Sequence, residues 1–234
     1  MKTDRAVVLF SGGQDSTTCL FWAKHHFERV EAVIFDYGQR HRIEIEQAEC
    51  IAKLAHVEAT VLDLTGLGAL GGSSLTDTEL AIPTEIGTEK EVPNTFVPGR
   101  NLIFLSYAAA YAYPRGIKNL VLGVGQVDYS GYPDCRVSFV RSAEMTLTLA
   151  LDMPLKIHAP LLFRSKADIW ALAAELGCLN FVIRDSHSCY NGDRTHYHPW
   201  GYGCGDCAAC RLRAQGFYQA FPELAARPPH TTPA

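Results

Sequence analysis

A glycine-rich loop between an apolar strand and a helix constrains this chain more than any other stretch. Residues 6–10 form an uninterrupted apolar run, which predicts a strand buried on both faces. Ser11-Gly12-Gly13-Gln14-Asp15-Ser16 follows, and residues 15–17 suit the N-cap or first turn of a helix over 18–26. Adjacent glycines permit a positive φ and close approach of the backbone to a ligand. The loop therefore predicts a phosphate site at a helix N-terminus, with an ordinary strand-to-helix turn as the alternative.

Length and composition place the chain among ordinary soluble proteins. It has 234 residues, 47% of them apolar and 20% charged, which allows one large α/β domain or two small ones. No apolar run approaches the roughly 20 residues needed to cross a bilayer, and residues 1–5 carry an acid rather than a signal-peptide pattern. A net charge of −4 without a basic block argues against nucleic-acid partners. We therefore expect a cytoplasmic protein that binds neither membranes nor nucleic acid.

Strand and helix patterns alternate along the rest of the chain. Alternation predicts an α/β fold with a doubly wound, mostly parallel sheet, in one domain over residues 1–234. Ligands of such sheets bind beyond the carboxyl ends of the strands. The predicted strands after the first lie at 29–35, 58–62, 117–125 and 155–160, and the predicted helices lie at 44–55, 102–113, 137–151 and 165–176.

Residues 63–99 break this alternation. Gly, Thr, Ser, Pro and Glu dominate there, and helical periodicity disappears. So long a connection inside a compact domain is uncommon and usually functional. We interpret it as a flap over the site that could include a short helix; a disordered insertion is the alternative.

Two cations lie at predicted helix starts, where a cation opposes the helix dipole. Arg100, followed by Asn101, precedes the helix over 102–113, and Lys166 lies in the first turn of the helix over 165–176. This electrostatic mismatch favours anion contacts, although an exposed arginine would give the same pattern at Arg100.

Polar and aromatic side chains follow two predicted strands. Asp36 and Tyr37 follow the strand over 29–35, and the loop 126–136 is dense in carboxylates and tyrosines. Carboxylates accept hydrogen bonds from a heteroaromatic ligand and tyrosine rings stack on it. We therefore expect ligand contacts from Asp36, Tyr37, Asp128, Tyr132 and Asp134.

Four of the eight cysteines cluster near the end of the chain. Cys19, Cys50, Cys135 and Cys178 are scattered, whereas Cys189, Cys204, Cys207 and Cys210 fall within a segment of about 186–217. C-x-x-C-x-x-C plus one upstream cysteine can supply four thiolates to a structural zinc site. An iron–sulfur cluster and chance thiols are the alternatives. His187, His196 and His198 lie nearby, and we expect them to be solvated because four thiols suffice.

Several motifs together resemble one family. SGGQDS alone resembles the loop of the PP-loop ATP pyrophosphatases, which cleave ATP between the α- and β-phosphates. FDYGQRH, NTFVPGRN, DYSGYPDCR and CGDCAACRLRAQGF, in this order, closely resemble the QueC family of 7-cyano-7-deazaguanine (preQ0) synthases. The resemblance covers residues 6 to about 217. Residues 195–200 belong to a stretch that is longer than in the shortest family members, and no role is assigned to them.

This resemblance implies a fold, an activity and a set of ligands. The fold is adenine nucleotide alpha hydrolase-like, and the activity is a carbon–nitrogen ligase of queuosine biosynthesis. It would convert 7-carboxy-7-deazaguanine, ammonia and ATP into preQ0 by activating the carboxylate and passing through an amide. Mg²⁺, one structural zinc per chain and a homodimer are also implied.

The expected site residues fall into four groups; the assignments of Arg100, Lys166 and the loop that contains Asp128 and Asp134 rest on position alone. Catalytic roles are expected for Ser11, Asp15, Ser16, Arg100 and Lys166. ATP binding is expected for Phe10, Ser11, Gly12, Gly13, Gln14, Asp15, Ser16, Thr17, Thr18, Cys19 and Leu20. Substrate binding is expected for Asp36, Tyr37, Arg100, Asn101, Asp128, Tyr132 and Asp134, and zinc binding for Cys189, Cys204, Cys207 and Cys210.

Two rival functions remain open from the sequence. One is another PP-loop enzyme, such as a tRNA thiolase or an NAD- or GMP-synthetase-like ligase. The other is a zinc-containing nucleic-acid-binding module without catalysis, which predicts a basic surface and salt-sensitive RNA binding. The net charge and the phosphate loop both count against the second.

Overall fold

A computed structural model describes residues 4–85, 92–127 and 132–225. Seven strands lie at β1 Arg5–Leu9, β2 Arg29–Asp36, β3 Glu58–Asp63, β4 Asn119–Val121, β5 Lys156–His158, β6 Tyr197–His198 and β7 Gly201–Tyr202. Seven α-helices lie at α1 Gln14–His26, α2 Ile43–Leu54, α3 Arg100–Ala112, α4 Val137–Leu151, α5 Lys166–Glu175, α6 Ala208–Ala220 and α7 Pro222–Ala225. Short 3₁₀ turns and one π-helical turn, Phe181–Asp185, connect them. None of the described helices is long and apolar enough to cross a membrane.

The first five strands form one parallel sheet in the order β3-β2-β1-β4-β5. Strand β1 is central, and Val7 pairs with Glu31 of β2 and Leu120 of β4. Both faces of β1 are buried: Val7 packs into the core on one face, and Val8 packs into the core on the other. The predicted doubly wound α/β fold is confirmed. The strand order reverses between β1 and β4, which is where such sheets bind ligands.

Three elements differ from the sequence-based prediction. Helix α1 begins at Gln14, earlier than expected, because Gly13 is its N-cap and no side chain caps it. Helix α3 begins at Arg100, so this cation lies within the first turn. Strand β4 ends at Val121 rather than extending to residue 125. Gly123 lies against the first turn of α1, where an added Cβ would meet the backbone nitrogen of Ser16 at 3.2 Å.

The described part of the segment 63–99 packs against the carboxyl edge of the sheet. It contains a 3₁₀ helix, Thr65–Leu70, which is the short helix that the sequence allowed. Arg40 holds the segment in place with two hydrogen bonds. Its backbone N–H donates to the carbonyl of Leu75 at 2.8 Å, and its guanidinium donates to the carbonyl of Leu80 at 3.1 Å. Residues 86–91 lie outside the described part of the chain.

The C-terminal segment packs on the sheet through α5 and α6. These helices approach closely because Gly216 of α6 lies against Lys166 of α5, where a Cβ on Gly216 would be 2.4 Å from the Cβ of Lys166. Strands β6 and β7 form a small antiparallel hairpin before α6. The previously unassigned residues 195–200 therefore build this hairpin and its turn, and Trp200 is buried within it.

A buried carboxylate ties the amino ends of the strands together. Glu31 of β2 is almost inaccessible, and its oxygens accept hydrogen bonds from Arg5 at 2.5 Å and from the hydroxyl of Tyr111 at 3.1 Å. Burial by itself raises the pKa of Glu31, but the hydrogen bonds from Arg5 and Tyr111 outweigh it, and the pKa is lowered overall. The ionised carboxylate therefore stabilises the folded chain.

Replacing Glu31 by glutamine should lower the free energy of unfolding at pH 7 by about 1–3 kcal/mol, because the guanidinium of Arg5 loses its buried acceptor. The stabilisation by a carboxylate of lowered pKa is present above its unfolded pKa and is lost as pH falls through its folded pKa. Urea titrations should therefore show that the difference in free energy of unfolding between the wild type and Glu31→Gln shrinks towards pH 3. The exposed Glu28→Gln variant is the control. A deficit that is independent of pH would contradict this account.

Candidate functional site

A cavity of about 320 Å³ opens at the carboxyl edge of the sheet, at the point where the strand order reverses. Its walls come from the ends of β1 and β2, from α1, from the first turns of α2 and α3, and from the C-terminal segment. Of the predicted site residues, the lining includes Phe10, Ser11, Gly13, Gln14, Asp15, Ser16, Tyr37, Arg100, Asn101, Tyr132 and Lys166. One open cavity therefore contains both the glycine loop and the polar groups that follow β2.

The glycine loop is ordered by its own hydroxyl groups. The backbone N–H of Ser11 donates to the hydroxyl of Ser16 at 3.2 Å, and the two serine hydroxyls are 3.0 Å apart. The hydroxyl of Ser16 also donates to the carbonyl of Gly13 at 3.3 Å. These contacts fold the loop over the first turn of α1, whose free N–H groups suit an anion.

The loop also depends on close packing against α2. Gly12 has φ of +72°, and an added Cβ would lie 2.8 Å from the backbone of Ala48. Gly12 is therefore required for the approach of a helix, whereas the sequence suggested the approach of a ligand. Gly13 has an extended conformation, with φ of −76°.

Lys166 and Asp15 form an ion pair in the cavity wall. The ammonium of Lys166 lies 2.8 and 2.6 Å from the two carboxylate oxygens of Asp15, and both side chains are largely buried. Lys166 is the first residue of α5, and Ser165 and Asp168 form a capping box beside it. The structure thus gives Lys166 a carboxylate partner at the edge of the loop that the sequence did not identify.

Arg100 and Tyr37 form a second polar group in the cavity wall, where β2 ends and α3 begins. The guanidinium of Arg100 lies 5.6 Å from the ring of Tyr37, and its Nη1 is 3.4 Å from the Tyr37 hydroxyl. Burial raises the pKa of Tyr37 to about 12, so its hydroxyl stays protonated at neutral pH. Tyr132 hydrogen-bonds Thr95 at 2.7 Å, which joins this wall to the segment 63–99. Arg100 is therefore a cation that faces the cavity with a neutral partner.

Several predicted contacts lie outside the cavity lining. Asp36 is engaged by the backbone N–H of Gly38 and by Arg42, at 3.3 and 3.5 Å. Asp134 is buried, and its carboxylate accepts the backbone N–H of Asn101 at 3.2 Å. Burial raises the pKa of Asp134. The remaining predicted residues outside the lining are Gly12, Thr17, Thr18, Cys19 and Leu20, the last four of which are buried in the core; Asp128 falls outside the described residues.

Glu44 lines the cavity and was missed from the sequence. It is half-buried in the first turn of α2. Burial raises its pKa to about 7, although the positive charge of Arg100 acts to lower it. A signal was present: Glu44 is four residues before Ala48, so it belongs to the inward-facing stripe of α2. An acid on an inward-facing stripe is a candidate functional group.

His187 is buried in the cavity wall, so the expectation of a solvated histidine is wrong at this position. Its backbone N–H donates to the carbonyl of Gly12 at 2.9 Å, which draws the ring into the wall. Burial lowers the pKa of His187 to about 4, and neither ring nitrogen has a hydrogen-bond partner among the described residues. The side-chain nitrogen of Gln14, also buried in the lining, lacks a partner too.

The other two histidines make local contacts outside the cysteine cluster. His196 pairs with Asp193, with Nδ1 and the carboxylate 2.5 Å apart. His198 stacks on Trp200 with ring centroids 4.3 Å apart, and its Nε2 lies 2.9 Å from the carbonyl of Gly203. Neither histidine belongs to the group of cysteines that could hold a metal.

Arg213 of α6 also reaches the cavity and was missed. It is 1% exposed, and its guanidinium donates to three neutral oxygens: the carbonyl of Trp200 at 3.0 Å, the hydroxyl of Ser188 at 3.2 Å and the carbonyl of Val182 at 2.6 Å. Burial lowers its pKa to about 10, so it remains charged at neutral pH. Ser188 in turn accepts the backbone N–H of Gln14 at 3.2 Å. Arg213 therefore links the C-terminal segment to the glycine loop.

The four clustered cysteines converge in space. The sulfurs of Cys189, Cys204, Cys207 and Cys210 all lie within 4.8 Å of one another, and those of Cys204 and Cys210 are 4.0 Å apart. The backbone N–H of Cys207 donates to the sulfur of Cys204 at 3.3 Å. Hydrogen bonds from Cys207 and Cys210 lower the pKa of Cys189.

This arrangement fits a single metal ion such as zinc. Zinc–sulfur bonds of about 2.3 Å in a tetrahedron place the sulfurs about 3.8 Å apart, close to the spacing here. An iron–sulfur cluster of several metal atoms needs a wider ring of cysteines. Four thiolates would close the coordination shell, so the expected role is structural.

Comparison with known proteins identifies the family of this chain. A family model described as queuosine biosynthesis protein QueC matches residues 5–221. The chain belongs to the QueC family. It is 54% identical to a 7-cyano-7-deazaguanine synthase of Bacteroides fragilis, over 92% of this chain and 95% of that protein. It is 48% identical to one of Wolinella succinogenes, over 94% and 96%. The resemblance stated from the motifs is confirmed over nearly the whole chain.

A solved structure shares the fold of this QueC family member at low sequence identity. The crystal structure of a 4-thiouridine synthetase–RNA complex with bound ATP superposes with a TM-score of 0.53 and 17% identity. The match covers 95% of this chain and 51% of the other. At this identity the match shows a shared fold.

Replacing Cys207 by serine should remove the bound metal and cooperative folding together, because the binding energy of a structural site is folding energy, about 10 kcal/mol or more in small zinc modules. Elemental analysis should find one zinc per wild-type chain and none in the variant. Cys50→Ser, which alters an exposed cysteine, is the control and should keep both. A stably folded, metal-free Cys207→Ser protein would show that the cluster has no structural role.

Replacing Arg213 by methionine should lower the free energy of unfolding by about 2–4 kcal/mol, because buried oxygens of Val182, Trp200 and Ser188 lose their shared donor. Arg211→Met on the same helix removes only an exposed pair with Asp206 and should leave the free energy of unfolding nearly unchanged, because solvent screens exposed ion pairs. Urea denaturation of both variants measures the difference. Equal losses would mean that the buried hydrogen bonds contribute nothing specific.

Proposed function

We propose that this chain is an ATP-dependent carbon–nitrogen ligase that converts 7-carboxy-7-deazaguanine and ammonia into 7-cyano-7-deazaguanine. Membership of the QueC family and the names of relatives about 50% identical over almost their whole length support this proposal. The observation that carries it is the shared cavity. The phosphate-binding type of loop at Ser11–Ser16 and the group around Arg100 face the same space, so a nucleotide and a carboxylate substrate can meet there.

The first half of the reaction activates the carboxylate. A carboxylate is a poor electrophile because its oxygen is a poor leaving group. One carboxylate oxygen attacks the α-phosphorus of ATP, the bond to the bridging oxygen breaks, and pyrophosphate leaves. Ammonia then adds to the carbonyl carbon, the carbon–oxygen bond to AMP breaks, and loss of a proton gives the amide. The N–H groups of the loop and the cation of Lys166 would stabilise the developing charge on the phosphates.

The second half removes the remaining oxygen by the same means. The amide oxygen attacks the α-phosphorus of a second ATP, and pyrophosphate leaves again. The carbon–oxygen bond to AMP then breaks while the nitrogen loses its two protons, which leaves the nitrile. Because Ser11–Ser16 is the activation loop that the sequence offers, the same pocket acts twice. The segment 63–99 would retain the amide and exclude water, which hydrolyses activated carboxylates.

The remaining assignments belong to this proposal. Ser11, Gly13 and Ser16 contact the phosphates of ATP, and Asp15 helps to hold the Mg²⁺ that accompanies them. The cysteine cluster holds one structural zinc. We further propose a homodimer that works in the cytoplasm, with a small molecule rather than a nucleic acid as substrate.

Incubation of the protein with 7-carboxy-7-deazaguanine, ammonium and MgATP tests the function by mass spectrometry. The expected products are the nitrile with two AMP and two pyrophosphate. The synthetic amide, supplied without ammonium, should give the nitrile with consumption of one ATP. Absence of nitrile from the acid would defeat the proposed function. A protein inert towards the amide, or a stoichiometry of one ATP from the acid, would defeat the double use of the pocket.

Lys166→Met should lower the turnover number by about 10²-fold or more in this assay, because the cation beside the loop is lost. Lys53→Met, at an exposed position of α2, is the matched control and should keep full activity. Circular dichroism and zinc content of both variants verify the fold. Near-normal turnover of Lys166→Met would remove this residue from the proposed machinery.

A further inference from the structure

We propose that Glu44 recognises the deazaguanine base, by accepting hydrogen bonds from its ring N–H and its exocyclic amino group. This inference rests on the proposed function, which supplies the substrate class. In a 2-amino-pyrimidin-4-one ring these two donors lie side by side and point in the same direction. A carboxylate has two acceptor oxygens at matching separation, and such charge-assisted, paired hydrogen bonds are the strong ones.

The carboxylate of Glu44 is available for a ligand. It lines the cavity and is half-buried, and no hydrogen bond or salt bridge reaches it from residues 4–85, 92–127 or 132–225. A partly desolvated carboxylate without donors is unfavourable. Binding of a ligand with two N–H groups would satisfy it, which makes this side chain a receptor rather than a stabilising contact.

The other carboxylates in the described part of the site are already occupied. Asp15 pairs with Lys166 through both oxygens beside the glycine loop, where the proposed function also assigns it to Mg²⁺. Asp134 is buried behind the wall and accepts the N–H of Asn101. Asp36 is engaged by Gly38 and Arg42 outside the lining. Glu44 is thus the acid of the described lining that keeps both oxygens free.

The surroundings of Glu44 complement the rest of the base edge. The positive charge of Arg100 is close enough to act on the pKa of Glu44. Beside its two donors, the aminopyrimidinone edge presents a carbonyl oxygen, which accepts. Glu44 and Arg100 both line the cavity, so together they can offer the reverse set of groups, two acceptors and a donor. The adenine edge presents one amino group beside an unprotonated ring nitrogen, and the lone pair of that nitrogen would repel the carboxylate. Glu44 and Arg100 therefore select the deazaguanine over the adenine of ATP.

The packing of α2 fixes the position of Glu44 relative to the glycine loop. Ala48 abuts Gly12 at a distance that only glycine permits. Glu44 lies one helical turn before Ala48 on the same face, with Cβ atoms about 6 Å apart. The base receptor and the activating loop are therefore held by one rigid contact, as a site that must align a bound base with a phosphate requires.

The test compares the substrate with its analogue lacking the exocyclic amino group, 7-carboxy-7-deazahypoxanthine. The wild-type enzyme should prefer the substrate by about 10²-fold in kcat/KM, because the analogue leaves a carboxylate oxygen unpaired. Glu44→Gln should raise KM for the natural substrate by about 10²-fold and reduce the preference to less than about 10-fold. The dissociation constant for ATP, measured by calorimetry, should stay within twofold of the wild-type value.

Two further variants complete the experiment. Glu46→Gln, at an exposed position of the same helix turn, is the matched control and should keep the full preference. Glu44→Asp keeps a carboxylate and should retain the preference with a higher KM, which preserves the test if Glu44→Gln does not fold.

Three outcomes overturn the inference: unchanged preference in Glu44→Gln, loss of preference in Glu44→Asp, or an equal fall of kcat on both compounds. The last would indicate proton transfer instead of recognition. No turnover by the wild-type enzyme would count against the proposed function itself.

Discussion

The glycine loop, residues 11–16, is held on two sides by backbone contacts, and the rest of the site depends on these contacts. On one side Gly12 admits the helix α2 to within van der Waals distance, because any side chain would collide with Ala48. On the other side the carbonyl of Gly12 accepts the N–H of His187, and the N–H of Gln14 donates to Ser188. A loop restrained in this way is preorganised for an anion and needs little rearrangement on binding.

The segment that carries the four cysteines also helps to hold the glycine loop. Residues 187 and 188, which contact the loop, immediately precede Cys189, so the cysteine cluster anchors them. Arg213, three residues after Cys210, then joins Ser188 to the buried Trp200 of the hairpin through neutral oxygens. A metal ion held by the four cysteines would therefore couple folding of this segment to the geometry of the loop.

Charge divides the cavity into two ends with different chemistry. At one end the pair Lys166–Asp15 lies beside the loop and suits phosphates with their cation. At the other, Glu44 and Arg100 combine an acceptor with a donor and suit a polar heterocycle. Desolvation strengthens interactions at both ends, because the low dielectric that raises the pKa of Glu44 also strengthens hydrogen bonds to its charged form. A cavity with this polarity can orient two ligands towards each other.

The sequence by itself determined the fold class, the position of the glycine loop between β1 and α1, and the cysteine quartet. Apolar runs, a glycine pair and short cysteine spacings act locally, so the chain order displays them. Only the tertiary structure decided which side chains reach the cavity. Asp134 accepts the N–H of Asn101 and lies outside the lining, whereas Glu44 and Arg213, which were not predicted as site residues, reach the cavity from α2 and α6. The physical reason is that each orientation is set by hydrogen bonds and packing between residues distant in sequence, and no local pattern encodes such contacts.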